Sequence, residues 1–382
     1  MPKLDFVFFD AGGGHRAAAT ALKQACAQHY PDWQVRLVNL QEELDSLDIF
    51  RKLTGIRMED VYNLVLRKGW TLGSPQLLVA MHALIRLYHP LQVRKLKEFW
   101  SQGAPDLLVS LIPNFNRALY QSIQAVSPRT RMVTSLTDLA DYPPHFWIER
   151  NQQQYFICGT AKAAQQAKEL GHASDRIFRV SGMVLHPRFY EPIEIDRDAE
   201  RRTLGLDPKL PTGILLFGGY GSAVMRKIAK RLDDSGIQLQ LLFICGKNAK
   251  LRAEIEALNL RMPHHIEGFT TRIPHYMKLA DFLIGKPGPG SISEAIQMGL
   301  PVIVTRNALT LPQERYNADW VTEHGLGLVL QNYGQIVAGV QQMLAPGSLE
   351  RFRNNASKMD NRAIDEIPKI LERLLSLDSL ER

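Results

Sequence analysis

Short apolar runs alternate with longer helical stretches through most of the chain. The short runs are rich in β-branched and aromatic residues and have strand length. Such alternation predicts βαβ units packed around parallel sheets, and therefore an α/β fold. Four strands of a first sheet are predicted at Leu4–Phe9, Val35–Leu40, Leu107–Leu111 and Met132–Ser135, and four of a second at Ile214–Phe217, Leu239–Ile244, Phe282–Ile284 and Val302–Thr305.

A polar connection separates the two sets of strands. It runs from Ser181 to Pro187 and continues as a charged stretch to about Lys209. A chain of 382 residues is long enough for two domains. We therefore predict two facing Rossmann-like domains, 1–185 and 186–382, with ligands bound in the cleft between them, outside the carboxyl ends of the strands. A last helix at Ala363–Leu375, starting anew or kinking at Pro368, has a packing role and is allowed to cross back to the first domain.

Composition narrows the class of protein. The chain is 45% hydrophobic and 22% charged, which is ordinary for a globular protein. Its three cysteines are far apart and form no CxxC pair, so neither a disulfide framework nor a structural zinc site is expected. The first ten residues do not resemble a signal peptide, and no stretch approaches the ~20 apolar residues of a spanning helix. We expect a cytoplasmic protein.

Positive charge is concentrated in one segment. The net charge is +7, and residues 51–100 hold nine basic and three acidic side chains. Each basic residue near an anionic leaflet contributes about 1 kcal/mol, so this segment predicts attraction to a membrane surface. Nucleic acid would attract it too, although no nucleic-acid-binding module is visible. The alternative is an ordinary amphipathic region whose leucines are core and whose basic residues form a solvated face: Leu64, Leu66, Leu77, Leu78, Leu84, Ile85 and Leu87.

A first glycine cluster lies between the first strand and an alanine-rich helix. It reads Asp10-Ala11-Gly12-Gly13-Gly14-His15-Arg16. Glycines let a backbone approach a ligand closely, and the following helix N-terminus favours anions. The Gly-Lys-Ser/Thr ending of a P-loop and the GxGxxG spacing of a dinucleotide site are both absent. His15 is expected to face the cleft, the alternative being a tight turn with a surface histidine.

Two more glycine clusters follow strands of the second sheet. Phe217-Gly218-Gly219-Tyr220-Gly221-Ser222 is half of a dinucleotide fingerprint, but Val224 replaces its third glycine. The segment from Ile284 to Ala295 is more specific, because a strand is followed by the Gly/Pro-rich loop Gly285–Gly290 and by a helix starting near Ser291. This arrangement predicts a diphosphate site made of amides and a helix dipole, with Glu294 placed to accept hydrogen bonds from ribose hydroxyls. A Ser291–Glu294 capping box would also explain both residues.

These motifs together resemble a known family. The glycine loop Gly12–Arg16, the loop Gly285–Ala295 and Leu311–Asn317 are similar to those of the glycosyltransferases that include plant and bacterial monogalactosyldiacylglycerol synthases, and more distantly to the peptidoglycan lipid-intermediate transferase. The resemblance extends from Asp10 to about Leu330. It implies a GT-B fold and inverting transfer of a hexose from a UDP-sugar to a lipid, with diacylglycerol as the expected acceptor.

The resemblance also implies roles for individual residues. The donor-site residues are expected to be Gly219, Phe269, Thr270, Gly288, Pro289, Gly290, Ser291, Glu294, Gln313 and Glu314. Gly288–Ser291 would hold the diphosphate, Glu294 the ribose, Gln313 and Glu314 the sugar, and Gly268–Thr270 would lie beside uracil. Gly13, Gly14 and His15 form the acceptor-side loop, and Thr137-Asp138 faces the acceptor. Membrane contact is expected at Trp70, Arg94, Lys95, Lys97 and Trp100, in a segment that also contains Tyr88.

The chemistry that follows needs a base but no tightly bound cofactor. His15 is the expected base, since histidine titrates near neutral pH, and Asp138 is its rival. The diphosphate loop is expected to stabilise the leaving group without a tightly bound metal. Ile112–Phe115 stands where the plant enzymes have a histidine-containing segment, so the donor is better specified than the acceptor.

Other readings stay open. A UDP-sugar epimerase shares this fold, and a non-catalytic UDP-sugar- or lipid-binding protein would turn nothing over. The third alternative is a transferase that acts on a different lipid or a polyprenyl acceptor. The sugar is left open among galactose, glucose and N-acetylglucosamine. The expected partners are a UDP-sugar, a membrane lipid and an anionic membrane surface, with no nucleic acid. The expected location is peripheral on the inner face of the cell membrane.

Overall fold

The structure, a computed structural model, describes residues 1–10, 14–45, 82–83, 85–142 and 146–380. Residues 378–380 are described by their backbone alone. Several residues singled out above therefore lie outside the described residues: Ala11, Gly12, Gly13, Leu64, Leu66, Trp70, Leu77, Leu78 and Leu84. The described chain forms two compact units. The first comprises the residues up to Pro187 together with those from Asn361 onward, and the second is Arg188–Asp360.

The first unit is built on a parallel sheet, six-stranded within the described residues, in the order β2-β1-β3-β4-β5-β6. Its strands are β1 (Lys3–Phe8), β2 (Gln34–Asn39), β3 (Leu107–Ser110), β4 (Arg131–Ser135), β5 (Tyr155–Cys158) and β6 (Ile177–Arg179). β1 pairs with β2 on one side and β3 on the other, so the order in which strands are added to the sheet reverses between β1 and β3. The carboxyl ends of these strands are the expected position of a ligand site.

Helices cover both faces of this sheet. They are α1 (Gly14–His29), α2 (Leu40–Leu44), α3 (His89–Ser101), α4 (Asn116–Val126), α5 (Ala161–Glu169) and, at the end of the chain, α14 (Ala363–Leu380). α14 packs its buried side chains Ile367, Leu371 and Leu374 into the same core as Leu22 of α1. The second face is covered by α3 and α4, which bury Leu96, Trp100 and Leu119.

The second unit repeats the architecture with a different strand order. Its sheet is also parallel, with six described strands in the order β12-β11-β10-β7-β8-β9. The strands are β7 (Thr212–Leu216), β8 (Gln240–Ile244), β9 (His264–Glu267), β10 (Phe282–Gly285), β11 (Val302–Thr305) and β12 (Gly327–Leu330). Here the order reverses between β7 and β10, as in the Rossmann fold, so the loops that follow these two strands border the expected ligand crevice.

The first helix of the second unit precedes its first strand, and the others connect successive strands or follow the last one. They are α6 (Arg197–Thr203), α7 (Val224–Asp234), α8 (Ala249–Glu256), α9 (Ile273–Leu279), α10 (Pro289–Gln297), α11 (Arg315–Glu323), α12 (Ile336–Leu344) and α13 (Ser348–Ala356). Asp281, just before β10, accepts hydrogen bonds from Arg197 and Arg201 of α6 and from Arg353 of α13. One buried carboxylate thus ties the first and last helices of this unit to its central strand.

The predicted strands are confirmed, with ends that shift by no more than two residues. β5, β6, β9 and β12 were not predicted. Two of these, β6 and β9, are half-exposed edge strands containing Arg179, His264 and Glu267, so they lack a continuous apolar run. α14 continues through Pro368 without restarting, because the buried face formed by Ile367 and Leu371 holds the helix on the sheet.

Candidate functional site

The loop after β7 lies against the loop after β8 in the second unit. A Cβ on Gly246 would lie 2.1 Å from the Gly219 carbonyl oxygen, and Gly246 has φ +59°, so only glycine permits this approach. Lys247 donates its backbone N–H to the same Gly219 oxygen at 2.9 Å. A Cβ on Gly219 itself would meet no atom within 4 Å. The β7 loop is therefore held from one side and leaves the backbone of Gly219 open on the other.

The loop after β10 leads directly into α10. This helix begins at Pro289 with Gly288 as its N-cap, and no side chain caps it. The helix thus starts two residues before Ser291, where proline fixes the first helical position, and the alternative of a Ser291–Glu294 capping box was wrong. The amide groups of Gly290 and Ser291 lie in the uncapped first turn, where they and the helix dipole favour an anion. A Cβ on Gly290 would meet no neighbouring atom within 4 Å, so there is space above this turn.

Carbonyl groups of the same loop are held by the rest of the unit. Tyr333 Oη donates to the Gly285 oxygen at 2.6 Å, and Asn317 Nδ2 donates to the Pro287 oxygen at 2.8 Å. The Lys286 oxygen accepts from the Gly288 N–H at 2.8 Å. Two of these three successive carbonyls are bonded to side chains outside the loop and the third is bonded within it, so the following amides are held in a fixed orientation.

An ion pair lies beside this loop. Lys286 Nζ is 2.8 Å from Glu314 Oε1, and Glu314 is 7% exposed. A Cβ on Gly288 would be 3.4 Å from Lys286 Cε and 3.8 Å from Glu314 Oε1, so the backbone of Gly288 borders the pair. Glu314 and its neighbour Gln313, both expected to hold a sugar, lie in a short 3-10 turn just before α11. The structure adds Lys286, a cation that the sequence motif did not assign.

Glu294 lies one helical turn deeper than expected. Because α10 begins at Pro289, Glu294 is in its second turn, on the same face as Gly290 and Ser291. The side chain is half-buried, and desolvation raises its pKa to about 7, an effect that the positive charge of Arg188 opposes. A carboxyl group with this pKa changes its charge near neutral pH.

The segment after β9 carries an exposed aromatic ring. Phe269 is 63% exposed, and Lys247 Nζ lies 5.3 Å from the centre of its ring. The backbone is fixed on both sides, because the Gly268 N–H donates to Glu267 Oε1 at 2.8 Å and Thr270 Oγ1 accepts from the Arg272 N–H at 3.0 Å. The segment expected to lie beside uracil is thus a fixed backbone with an open ring.

In the first unit, His15 occupies the first turn of α1, after the carboxyl end of β1. Its Nδ1 is 2.9 Å from Thr137 Oγ1, in the loop after β4. The imidazole ring centre lies 6.5 Å from that of Phe9 and 6.0 Å from that of Trp147. Desolvation lowers the pKa of His15 to about 4, although a hydrogen bond to the Leu111 backbone opposes the shift. His15 is therefore neutral at physiological pH, as a general base must be. The expectation that it titrates near neutral pH was wrong, because burial makes it a weaker base than a free imidazole.

Asp138, the rival base, is a buried group with a hydrogen-bond partner. It is 9% exposed, and its Oδ2 accepts the indole N–H of Trp147 at 2.9 Å. Trp147 is fully buried, and its backbone N–H donates to Asp141 Oδ1 at 2.8 Å. The structure therefore places Asp138 on the indole that lies beside His15.

The expected membrane contacts divide into two groups. Arg94 and Lys97 are exposed on α3, whereas Lys95 is half-buried and pairs with Glu98 at 3.0 Å. Trp100 was wrongly predicted, because it is 1% exposed and donates its indole N–H to Ser122 Oγ at 3.0 Å in the core. Leu87 is 73% exposed, so at this position the alternative of an ordinary core leucine is also wrong.

Neither a metal-binding cluster nor a membrane-spanning helix is found among the described residues. In the ranges given above, no group of three His, Cys, Asp or Glu side chains is arranged to hold a metal ion. Among the same residues, no helix is both long and apolar enough to cross a membrane.

Sequence comparison connects this geometry to known proteins. Residues 214–374 match the model of the Glycosyltransferase family 28 C-terminal domain. The chain is 28% identical over 375 residues to monogalactosyldiacylglycerol synthase 1, chloroplastic, of Arabidopsis thaliana, covering 94% of this chain and 68% of that protein. The resemblance inferred from the motifs is thereby confirmed.

Solved structures support the same fold. The crystal structure of Acinetobacter baumannii MurG has a TM-score of 0.62 at 11% identity and covers 98% of this chain and 100% of that one. UDP-GlcNAc 2-epimerase from Neisseria meningitidis, bound to UDP-GlcNAc, has a TM-score of 0.59 at 14% identity and covers 98% and 99%. The predicted fold, GT-B with two Rossmann-like domains, is confirmed.

Proposed function

We propose that this chain is an inverting glycosyltransferase that moves a hexose from a UDP-sugar to the hydroxyl of a membrane lipid, with diacylglycerol as the acceptor. The observation that carries the proposal is the loop Lys286–Ser291, whose amides are held at the N-terminus of α10 beside Glu294 and Glu314. The confirmed resemblance to monogalactosyldiacylglycerol synthases supports the lipid acceptor.

The donor is bound by the second unit. The amides of Gly290 and Ser291 and the dipole of α10 hold the diphosphate, and Lys286 adds a positive charge beside the loop. Glu294 accepts hydrogen bonds from the ribose hydroxyls. Gln313 and Glu314 bind the hydroxyls of the sugar, while Gly219 and the segment from Gly268 to Thr270 border the nucleoside.

Transfer requires one proton to leave the acceptor. The lipid oxygen attacks the anomeric carbon as the bond from that carbon to the diphosphate oxygen breaks, and the hydroxyl proton passes to neutral His15. The products are a β-linked glycolipid from an α-linked donor, UDP and a protonated base. Charge that develops on UDP is stabilised by the loop amides and by Lys286, in the manner of an oxyanion hole.

Acceptor-dependent release of UDP tests the proposal. Purified protein is mixed with one UDP-sugar at a time, and free UDP is followed with vesicles that contain diacylglycerol or lack it. A transferase releases UDP only with the acceptor present. Release or conversion of the sugar nucleotide at the same rate without diacylglycerol would contradict the proposal.

The second candidate is an epimerase, which the likeness to the Neisseria meningitidis enzyme favours. An epimerase changes the configuration of the sugar nucleotide and needs no lipid. Nuclear magnetic resonance of the remaining sugar nucleotide distinguishes the two, because a transferase leaves unreacted donor unchanged.

Donor affinity is expected to depend on pH through Glu294. Ribose hydroxyls donate hydrogen bonds to its carboxylate, so binding favours the ionised form, whereas the free carboxyl has a pKa of about 7. Affinity for a UDP-sugar should be constant above about pH 8 and fall by up to about tenfold per unit below pH 7. Isothermal titration calorimetry from pH 5.5 to 8.5 measures this slope.

Glu294→Gln is the matched variant for that measurement. It should bind the donor more weakly at pH 8 and show no slope, because its amide does not titrate. Since burial disfavours the charged form, wild-type stability should decline as pH rises from about 4.5 to 7, and the variant should be more stable at pH 8 but not at pH 5. An equal dependence of donor affinity on pH in wild type and Glu294→Gln would contradict the assignment of Glu294 to the ribose.

Membrane attraction is expected to depend on the exposed cations of α3. Replacing Arg94 and Lys97 by Glu reverses two charges, and each charge near the surface contributes about 1 kcal/mol, so binding to anionic vesicles should weaken more than about tenfold. Lys227→Glu with Lys230→Glu, on the exposed face of α7, makes the same change in net charge in the second unit. Vesicle sedimentation at low salt compares the two. Equal loss in both double variants would show that only net charge matters.

A further inference from the structure

We propose that Thr137 and Asp138 are positioning residues for His15, Thr137 through its hydroxyl on Nδ1 and Asp138 through the indole of Trp147. Asp138 is then not the base. The inference rests on the proposed function, in which His15 receives the proton of the acceptor.

The contact with Thr137 suits the form of the imidazole that a base needs. A neutral imidazole has one N–H and one nitrogen lone pair, and a base needs its lone pair directed at the substrate. When Nδ1–H donates to Thr137 Oγ1, 2.9 Å away, the lone pair is on Nε2. The ring also hydrogen-bonds the Leu111 backbone, and since a carbonyl only accepts, the proposal requires that Nδ1–H serves this contact too. Thr137 lies two residues beyond the end of β4, so its hydroxyl is held by a buried strand.

The contact with Asp138 fixes what lies beside the imidazole. Trp147 Nε1 donates to Asp138 Oδ2 at 2.9 Å, and the indole is tilted by 52° against the ring of His15. Both ends of this tryptophan are held by carboxylates, because its backbone N–H donates to Asp141. Trp147 is thus held at two points, and its indole packs beside the ring of His15.

The same contact argues against Asp138 as the base. A general base must have an oxygen available to the proton that it removes. Asp138 is 9% exposed, one of its two oxygens, Oδ2, accepts the indole N–H of Trp147, and the residue has a further interaction in the structure. The carboxylate therefore acts here as a hydrogen-bond acceptor, a role that an amide oxygen can also fill.

Variants of Asp138 distinguish a positioning residue from a base. Asp138→Asn keeps an oxygen for the Trp147 indole but cannot take up a proton, and Asp138→Leu keeps neither. We expect Asp138→Asn to lose less than about tenfold in kcat and Asp138→Leu to lose considerably more, with little change in KM for the donor. A true base contributes about 10²–10⁴-fold, so a loss of that size in Asp138→Asn would overturn the proposal.

Variants of Thr137 test the other contact by the same logic. Thr137→Ser keeps the hydroxyl and should lose less than about tenfold in kcat, whereas Thr137→Val removes the hydroxyl at nearly constant volume and should lose more than Thr137→Ser. Equal activity of the two variants would overturn the role of Thr137. Should Asp138→Leu fail to fold, the size of the loss in Asp138→Asn still decides whether Asp138 is the base.

Nuclear magnetic resonance of ¹⁵N-histidine protein reads the tautomer without any substrate. The signals of His15 are identified by their absence in His15→Gln. We expect Nδ1–H with an unprotonated Nε2 in wild type and Thr137→Ser, and a mixture of tautomers in Thr137→Val. Nε2–H in wild type would overturn the proposal. If the protein transfers no sugar but shows the expected tautomers, the proposed function fails while the positioning of His15 stands.

Discussion

Replacing His15 by Gln is expected to lower kcat by about 10²–10⁴-fold and to leave the affinity for the donor unchanged. His15 lies in the first unit, whereas the loops proposed to hold the donor belong to the second. Its loss therefore removes a proton acceptor that matters in the transition state and not in donor binding, and such a change lowers kcat without raising the donor KM. Glutamine keeps a polar side chain of similar size but does not accept a proton near neutral pH.

The pH dependence of kcat gives an independent test of the role of His15. Desolvation lowers the pKa of His15 to about 4, so the base is neutral throughout the physiological range. At saturating donor, kcat should be independent of pH from about 8 down to about 5 and should fall as pH approaches 4. This acidic limb should be absent from the residual activity of His15→Gln.

A matched control comes from the same helix. His29→Gln changes an exposed histidine at the far end of α1, where it pairs with Asp365 and remains 43% exposed. Steady-state kinetics of both variants at saturating donor and acceptor make the comparison. Wild-type kcat in His15→Gln would rule out this residue as the base, and an equal loss in both variants would indicate a general effect on α1.

Replacing Gly290 by Ala is expected to weaken binding of UDP by about 10- to 100-fold, because each hydrogen bond to a charged group contributes about 1.5–3 kcal/mol. A Cβ on Gly290 meets no neighbouring atom within 4 Å, so the methyl group has room in the ligand-free protein. It occupies the space above the first turn of α10, where the diphosphate is proposed to lie.

Stability should change in the opposite direction. Alanine is favoured over glycine inside a helix by roughly 0.5–1 kcal/mol, so Gly290→Ala should unfold at an equal or higher temperature than wild type. Gly103→Ala is the control, since a Cβ at Gly103 also meets no atom within 4 Å and lies after α3 in the first unit. Calorimetric titration with UDP and thermal unfolding give both quantities. Unchanged UDP affinity in Gly290→Ala would show that this loop does not hold the diphosphate.

Local sequence patterns predicted those parts of the fold that depend on neighbouring residues. The buried strands have continuous apolar runs, and the Gly/Pro loop of the second unit has the turn residues that its geometry requires. Even the errors had local signals. Pro289 indicates the true start of α10, and Trp100 lies four residues after Leu96, on the buried face of α3.

The remaining parts of the site depend on which strands are neighbours. Lys286 and Glu314 are 28 residues apart and meet because β10 and β11 are adjacent in the sheet. His15 and Thr137 are 122 residues apart, on loops that follow β1 and β4. No local pattern states such pairings, and the same holds for the indole of Trp147 on Asp138. Roles inferred from the family resemblance gave the residues, and the topology gave their partners.

Mass spectrometry of the lipid products tests the central claim most directly. Wild type and His15→Gln are incubated with UDP-galactose, UDP-glucose or UDP-N-acetylglucosamine and with anionic vesicles that contain diacylglycerol. The proposed function predicts that wild type makes a monoglycosyldiacylglycerol from one of these donors and that His15→Gln makes little of it. A wild-type protein that consumes or alters a donor while the diacylglycerol stays unmodified would contradict it.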